Sequence, residues 1–213
     1  MSRLLRMGIC LVLAGCGGSV DRLGEQLADS DIEVRRESAR ALRELGPAAK
    51  RAVVALEKAL ADPDQEVVRQ SAVALGNIGA DAKPAMPALI ELLEHDELAI
   101  RFSAALALQR IDPRNEDFRS VLIEAMQAGD SGAIMAVGEL GPEAAWALAV
   151  LEQLARHRDP NVRLLAVRAI GRIGPTALAA EATLQRSMND RHDGVRQAAR
   201  QALDSVRGIS AAQ

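Results

Sequence analysis

Apolar and polar positions alternate with helical spacing along most of the chain, and the whole pattern recurs every 33 residues. Residues 33–46 match residues 66–79 almost position by position, and residues 136–141 match residues 169–174 in the same way. Apolar positions within a unit fall three or four residues apart, which is the spacing of one face of an α-helix. Recurrence at a period of this length is typical of repeat proteins, in which neighbouring units bury each other's apolar faces.

Each unit is predicted to contain two helices, named here the first and the second helix. The first helix follows an aspartate, such as Asp31 or Asp64, which can accept hydrogen bonds from the free N–H groups of the opening turn. It ends at a glycine, which tolerates a left-handed cap, and proline then suits the start of the next helix. These pairs are Gly46-Pro47, Gly141-Pro142 and Gly174-Pro175. The second helix carries one apolar stripe, as in Val53, Leu56 and Leu60.

Both ends of the repeat region are predicted to be half-units. Residues 20–29 align with a second helix and residues 194–207 with a first helix, so one unpaired helix would cover each end. The pattern therefore predicts an all-α fold, an α-α superhelix of about five helix pairs with half-repeat caps.

The repeat is interrupted once. Asp112 stands where a glycine equivalent to Gly79 is expected, and the next such glycine is Gly141, 29 residues further on. Four residues, about one helical turn, are missing near residues 129–132, so the first helix of the fourth unit is predicted to be short. The loss is either drift in a surface connection, which the tolerance of loops to length changes favours, or a change of curvature that shapes a binding surface.

Trp146, the only tryptophan, follows this interruption. The equivalent positions in other units hold Arg51, Pro84, Asp117 and Ala179. Most of these are not core residues, so this position of the repeat is not predicted to be buried. An exposed tryptophan would be an anchor for a partner. The favoured interpretation is that the ring fills space left by the shortened helix, because large rings are usually buried when they can be.

The composition narrows the fold and the partners. Hydrophobic residues make up 49% of the chain but aromatic residues only 1%, which suits close-packed helices better than a β-sandwich. Charged residues of both signs make up 26%, which argues against a disordered polyelectrolyte. The net charge of −3 argues against a nucleic-acid partner, since such binding needs positive charge clustered on one face.

The first residues are organised like an export signal. Arg3 and Arg6 precede a short apolar run over residues 7–13, and the run ends in Leu13-Ala14-Gly15-Cys16. This run is shorter than the roughly 20 residues that a membrane-spanning helix needs. The alternatives are an ordinary signal peptide cut elsewhere and a buried first helix.

The tetrapeptide ending in Cys16 resembles the lipobox of bacterial lipoproteins. The resemblance implies that residues 1–15 are removed as a signal peptide and that Cys16 is lipidated. Residues 16–19 would then link the lipid to the repeat domain. The protein would be held in the bacterial cell envelope, on the outer membrane or on the outer side of the inner membrane.

Two stretches carry a second resemblance: Asp-x-Asp-x-x-Val-Arg before the first helix and Ala-Leu-x-x-Ile-Gly at its end. They resemble HEAT-like repeats, including the subgroup named from phycobilisome lyases, over residues 20–208, with residues 209–213 as a tail. The resemblance implies a curved solenoid whose second helices line the concave side and form a broad groove. It also implies a ladder between units, made by an aspartate and an arginine six residues later, as in Asp29 with Arg35.

No catalytic residue, metal or cofactor is predicted. His95 and His157 occupy the aspartate column of the ladder, and no Cys or His cluster with ligand spacing occurs. Deoxyhypusine hydroxylases, which have similar repeats, bind iron through His-Glu pairs, whereas the three histidines here are followed by Asp96, Arg158 and Asp193. A lyase-like or metal-binding HEAT-repeat enzyme, or a subunit of one, stays open as the alternative.

The expected function is a membrane-anchored, non-catalytic scaffold for protein–protein interaction. Alignment of the second helices places Glu91, Glu94 and Glu124 in the middle of the predicted groove, where they would attract a protein or peptide with a basic segment. Trp146 is the fourth candidate contact. A merely solvated face is the competing interpretation of such charges. Contact with the membrane is expected through the lipid on Cys16, and no nucleic-acid partner is expected.

Overall fold

The computed structural model describes residues 16–209, with side chains from Ser19 onward. The proposed signal peptide, residues 1–15, and most of the tail, residues 210–213, lie outside the described residues. Within the described part the chain is α-helical and 3-10 helical and has no strand, which confirms the predicted all-α fold. The α-helices are α1 (Cys16–Gln26), α2 (Ile32–Leu45), α3 (Val53–Ala59), α4 (Gln65–Ile78), α5 (Met86–Glu91), α6 (Leu98–Ile111), α7 (Arg119–Gln127), α8 (Ser131–Glu139), α9 (Leu148–Leu154), α10 (Pro160–Ile173), α11 (Glu181–Ser187) and α12 (Asp193–Val206).

The first helices of the units are α2, α4, α6, α8, α10 and α12, and their ends form as expected. Asp64 accepts a hydrogen bond from the backbone N–H of Val67, and Asp159 accepts one from Asn161, so these side chains satisfy free donors of the opening turn. The C-caps Gly79 and Gly174 have φ of 75° and 70°, a conformation that a side chain would strain. These caps mark the bounds of α4 and α10, whereas α6 and α12 follow Glu97 and His192, whose side chains make no capping hydrogen bond.

The second helices differ from the expected uniform α-helix. Four of them begin with a seven-residue 3-10 segment before turning α-helical: Gly46–Ala52, Gly79–Ala85, Gly141–Ala147 and Gly174–Ala180. A 3-10 helix has three residues per turn, so residues three apart share one side. Alanines spaced three apart, such as Ala49 with Ala52 and Ala82 with Ala85, are buried on that side. The small side chains let the segment lie close to its neighbours.

Unpaired helices cover both ends of the described stack, as predicted. α1 packs on α2 and on the second helix of the first unit, while α12 packs on α10 and α11. α1 begins at Cys16, so the predicted link over residues 16–19 lies within the first turn of this helix. Burial of Val20 and Leu27 secures the helix against the first unit.

A ring-poor aliphatic core runs the length of the stack. Leucines at equivalent positions in successive units are fully buried: Leu42, Leu75 and Leu108 in first helices, and Leu56, Leu89, Leu122, Leu151 and Leu184 in second helices. They form one continuous hydrophobic cluster from α1 to α12. Each unit therefore depends on its neighbours for burial, as expected of a solenoid.

The predicted interruption is real and divides the stack. α8 has nine residues, whereas α4, α6 and α10 each have fourteen. First helices α2, α4 and α6 pack side by side, as do α8, α10 and α12, but α6 and α8 do not pack along their lengths. α7 contacts both of them and joins the two blocks. The missing turn thus changes how the third and fourth units stack.

Candidate protein-interaction surface

The first helices approach one another more closely than the second helices do. A β-carbon placed on Gly76 would lie 2.8 Å from the Cα of Ala107, and one on Gly171 would lie 2.9 Å from the Cα of Ala202. Second helices meet chiefly through their 3-10 segments. Close packing within the stack is therefore concentrated between first helices. The side of the solenoid that the second helices line stays a prediction.

The arginines of the Val-Arg motif connect successive units. The guanidinium of Arg35 donates to Asp62 of the next unit at 2.7 Å, and that of Arg163 donates to Asp190 at 2.8 Å. Arg163 also donates to the backbone oxygen of His157, six residues earlier. The ladder predicted from the sequence thus runs forward from Arg35 and Arg163 to the following aspartate. The turn before the first helix of the same unit supplies backbone oxygens.

These ion pairs are mostly shielded from solvent. The side chains of Arg163 and Asp190 keep only 15% and 12% of their exposure. The hydrogen bond from Arg163 lowers the pKa of Asp190 below its ordinary value, and the same bond raises the pKa of Arg163. A hydrogen bond from Arg36 likewise lowers the pKa of Asp64, because each bond favours the charged carboxylate.

The acidic notch is a concavity of about 370 Å³ between the second and third units. It is lined by Leu93, Glu94, His95, Asp96, Arg101, Ser120, Val121 and Glu124. Arg101 donates to Glu124 at 2.8 Å, since no aspartate stands at the next ladder position. The notch therefore holds three carboxylates and one guanidinium, and is negative overall.

The structure brings only two of the four candidate contact residues together. Glu94 and Glu124 line the acidic notch, whereas Glu91 is exposed at the end of α5 and does not line it. Trp146 lies in the 3-10 segment of the fourth unit. Trp146 does not line the acidic notch either.

The basic notch is a second concavity, of about 710 Å³, between the fourth and fifth units. It is lined by Ala155, Arg156, His157, Arg158, Arg163, Thr183, Arg186, Ser187, Asn189, Asp190 and Arg191. The sequence analysis did not predict this site, although Arg156 and Arg186 stand at the repeat positions equivalent to those of Glu94 and Glu124. Comparison of the columns for a change of sign would have revealed it.

Trp146 is half-buried at the interruption. Its ring meets that of Phe118 edge-on, with centroids 6.3 Å apart, and the guanidinium of Arg119 lies 5.6 Å above it. Phe102 points towards the opening turn of α8, about where a side chain on Gly132 would be. All three aromatic residues of the chain therefore gather where the repeat breaks, as the space-filling interpretation of Trp146 expects.

A row of apolar side chains on the first helices was also missed by the sequence analysis. The aligned column of the first helices contains Arg40, Val73, Leu106, Met135, Arg168 and Gln201. Met135 is 47% exposed, while Val73 and Leu106 are partly exposed. Reading the first helices in columns, as was done for the second helices, would have found it.

Residues 16–209 contain no group of three or more His, Cys, Asp or Glu side chains arranged to hold a metal ion. Among the same residues, every helix is too short or too polar to cross a bilayer.

Comparison with protein families gives two matches. The model described as HEAT repeats matches residues 2–76 and 129–204, and the model described as PBS lyase HEAT-like repeat matches residues 67–95. The unmatched stretch between residues 96 and 128 includes the connection at which the stacking of the first helices breaks. No curated protein matches the chain.

Several solved structures share the fold. An engineered protein is 24% identical with a TM-score of 0.64, over 90% of this chain and 97% of that one. A designed armadillo repeat protein in complex with the peptide (KR)4 is 19% identical with a TM-score of 0.56, over 88% and 99%. The complex of CpcE and CpcF of phycocyanin lyase from Nostoc sp. PCC7120 is 21% identical with a TM-score of 0.60, over 97% and 81%. At these identities the likeness concerns the fold alone.

Proposed function

Because the chain belongs to the HEAT-repeat family, we propose that it is a non-catalytic scaffold that binds a protein or peptide partner carrying a basic segment. The observation that carries this proposal is the acidic notch, in which Glu94 and Glu124 line one concavity with Asp96. The only guanidinium there, Arg101, is already held by Glu124 and by two backbone oxygens. Excess negative charge in a concavity attracts a cationic segment and steers its approach.

A structural neighbour supports this choice of partner. The designed armadillo repeat protein with a similar fold is in complex with a peptide of alternating Lys and Arg. A stack of helical repeats can therefore bind a basic peptide. The acidic notch offers carboxylates that such a peptide would contact here.

We also propose that the scaffold is tethered to a bacterial envelope membrane through lipid on Cys16, after removal of residues 1–15. The order of Arg3 and Arg6, the apolar run and Leu13-Ala14-Gly15-Cys16 supports this. Since α1 includes Cys16, no stalk would separate lipid and repeats, and the stack would lie close to the bilayer.

The binding proposal is tested with a fluorescein-labelled (KR)4 peptide and the purified full chain, by fluorescence anisotropy at low ionic strength. Replacement of both Glu94→Lys and Glu124→Lys should weaken binding about tenfold or more, because two attractive contacts become repulsive. Added salt should weaken wild-type binding, since the Debye length falls to about 8 Å at 0.15 M.

The matched control is Glu143→Lys, which reverses an exposed charge outside the notch, and it should bind like wild type. A separate Glu91→Lys variant tests the candidate that the structure places elsewhere. Unchanged binding in the double variant would refute the assignment of the acidic notch.

The match to the lyase-type repeat over residues 67–95, with the phycocyanin lyase complex as a structural neighbour, favours one second candidate: a subunit of a lyase-like enzyme. Titration of the full chain with a linear tetrapyrrole, followed by visible absorbance, distinguishes the two. A saturable spectral change would support the lyase-like subunit over the scaffold.

A further inference from the structure

The acidic and basic notches are the same structural feature in two different units. Residue 156 is the equivalent of residue 94, because one full repeat of 33 residues and one shortened repeat of 29 separate the two positions. The same shift relates Asp96 to Arg158 and Glu124 to Arg186. Three carboxylates at lining positions of one notch are thus replaced by three guanidinium groups in the other.

The backbone frame around the two notches is equivalent. His95 accepts a hydrogen bond at Nδ1 from the N–H of Glu97, and His157 accepts one from Asp159. The guanidinium of Arg101 donates to the backbone oxygens of residues 95 and 96, and that of Arg163 donates to those of residues 157 and 158. The frame is retained while the charges that line it change sign.

The positive charge of the basic notch is largely unneutralised. Arg163 is held by Asp190, the only carboxylate in the lining. Arg186 donates within its own helix, to the backbone oxygen of Ala182 and to Thr183. Across residues 19–209, Arg156, Arg158 and Arg191 make no ion pair. If these positions were merely solvated, we would expect no such separation of charge, with arginines in one notch and carboxylates at the equivalent positions of the other.

We propose that the basic notch binds an acidic stretch of a polypeptide through its Asp and Glu side chains, a second site of opposite charge to the one under Proposed function. The exposed arginines come from two successive turns, Arg156 and Arg158 after α9 and Arg186 and Arg191 around the end of α11. Guanidinium forks match carboxylates in a bidentate way. Donors distributed over two turns of an open notch of about 710 Å³ suit several separate carboxylates better than one compact phosphate.

One partner can occupy both notches. They lie at equivalent positions of the repeat, in the two blocks that α7 joins. A chain that carries a basic and an acidic stretch, joined by a linker, can reach both. That one partner fills both notches rests on the proposed scaffold function. Binding of an acidic stretch to the basic notch is measured separately.

The experiment measures anisotropy of two labelled peptides with the purified full chain: an octapeptide of alternating Glu and Ser, and the (KR)4 peptide. Replacement of both Arg156→Glu and Arg186→Glu should weaken binding of the Glu/Ser peptide at least tenfold and should not weaken that of (KR)4. Arg200→Glu, an exposed reversal on α12, should leave both unchanged. Circular dichroism checks the fold, and the milder pair Arg156→Gln and Arg186→Gln should show a smaller loss of the same sign.

The proposal is overturned if the Glu/Ser peptide does not bind wild type, or if the double reversal binds it normally. Sedimentation with phosphatidylglycerol vesicles and competition by inorganic phosphate are the other arms. Binding of vesicles or phosphate through Arg156 and Arg186, without binding of the Glu/Ser peptide, would assign the notch to a phosphate group and refute the peptide. Failure of (KR)4 alone would refute the proposed acidic-notch function and leave the basic notch standing.

Discussion

At the scale of single residues, each ladder arginine acts across the boundary between two units. Arg163 reaches back to the oxygens of residues 157 and 158 and forward to Asp190. The bonds hold the turn of one unit against the turn of the next. No aspartate stands ahead of Arg101, which donates to Glu124 instead. Val68 occupies the arginine position of its unit, so that unit lacks this ion pair. The motif therefore stabilises the stacking of successive units.

The pH dependence of stability follows from this pair. The pKa of Asp190 is lower in the folded protein than its ordinary 3.8, because Arg163 donates to the carboxylate. The group then stabilises the fold fully above pH 3.8, and the contribution is lost as the pH falls through the lowered pKa. We expect Asp190→Asn to reduce the free energy of unfolding by about 1–2 kcal/mol at pH 7. Urea denaturation at several pH values should show this difference shrinking below pH 3.8.

Asp204→Asn is the control for this prediction. Asp204 is exposed on α12, so its replacement should change the free energy of unfolding little at any pH. A loss of stability in Asp190→Asn that stays constant down to pH 2 would contradict the charged pair as its cause.

At the scale of helices, glycine sets how closely the first helices pack. Gly171 of α10 faces Ala202 of α12, and its missing side chain lets the two backbones approach. Gly76 of α4 does the same towards Ala107 of α6. These close approaches bring the first helices together while the second helices stay further apart. Both notches lie beside the second helices, where neighbouring units approach less closely.

Replacement of Gly171 measures that packing. A β-carbon there would lie 2.9 Å from both the Cα and the Cβ of Ala202, so Gly171→Ala should force α10 and α12 apart. We expect a loss of about 1–3 kcal/mol in the free energy of unfolding, measured by urea denaturation. This outcome opposes the gain of up to about 1 kcal/mol that alanine otherwise gives inside a helix.

Gly24→Ala is the matched control, because a β-carbon there would lie 3.4 Å from the Cβ of Ala55, an ordinary contact. Its stability should equal or exceed that of the wild type. Equal stabilisation by both substitutions would show that the close approach of α10 and α12 does not limit packing.

At the scale of the whole molecule, the described residues form two blocks of stacked units that α7 joins. The three rings of Phe102, Phe118 and Trp146 gather at this junction, where the missing turn of α8 leaves space that alanine and leucine would not fill. The acidic notch lies in the first block and the basic notch in the second. A partner that bridges both notches would therefore also fix the relative position of the blocks.

The proposed tether is tested on the whole chain in a bacterial host by metabolic labelling with radioactive palmitate. Wild type should incorporate label and fractionate with membranes, because Cys16 would carry the lipid. Cys16→Ala should lose the label. Cys10→Ala is the matched control, since Cys10 lies within the proposed signal peptide, and it should keep the label. Label retained in Cys16→Ala would exclude the anchor.

The sequence by itself determined the elements and their order. The 33-residue period, the aspartate caps, the terminal glycines and the short α8 are all local features, because hydrogen-bonded caps and apolar spacing act within about one turn of a helix. The same pattern predicted the apolar stripe of Val53, Leu56 and Leu60, which is buried. The family, too, could be inferred from these residues.

Only the tertiary structure decided how closely the first helices pack and which charges share a notch. The close approach of Gly171 to Ala202 leaves no distinct mark on helical periodicity. The meeting of Glu94 with Glu124, and of Arg156 with Arg186, likewise depends on how one unit is seated on the next. Long-range seating is set by packing across the whole stack, which no local pattern encodes.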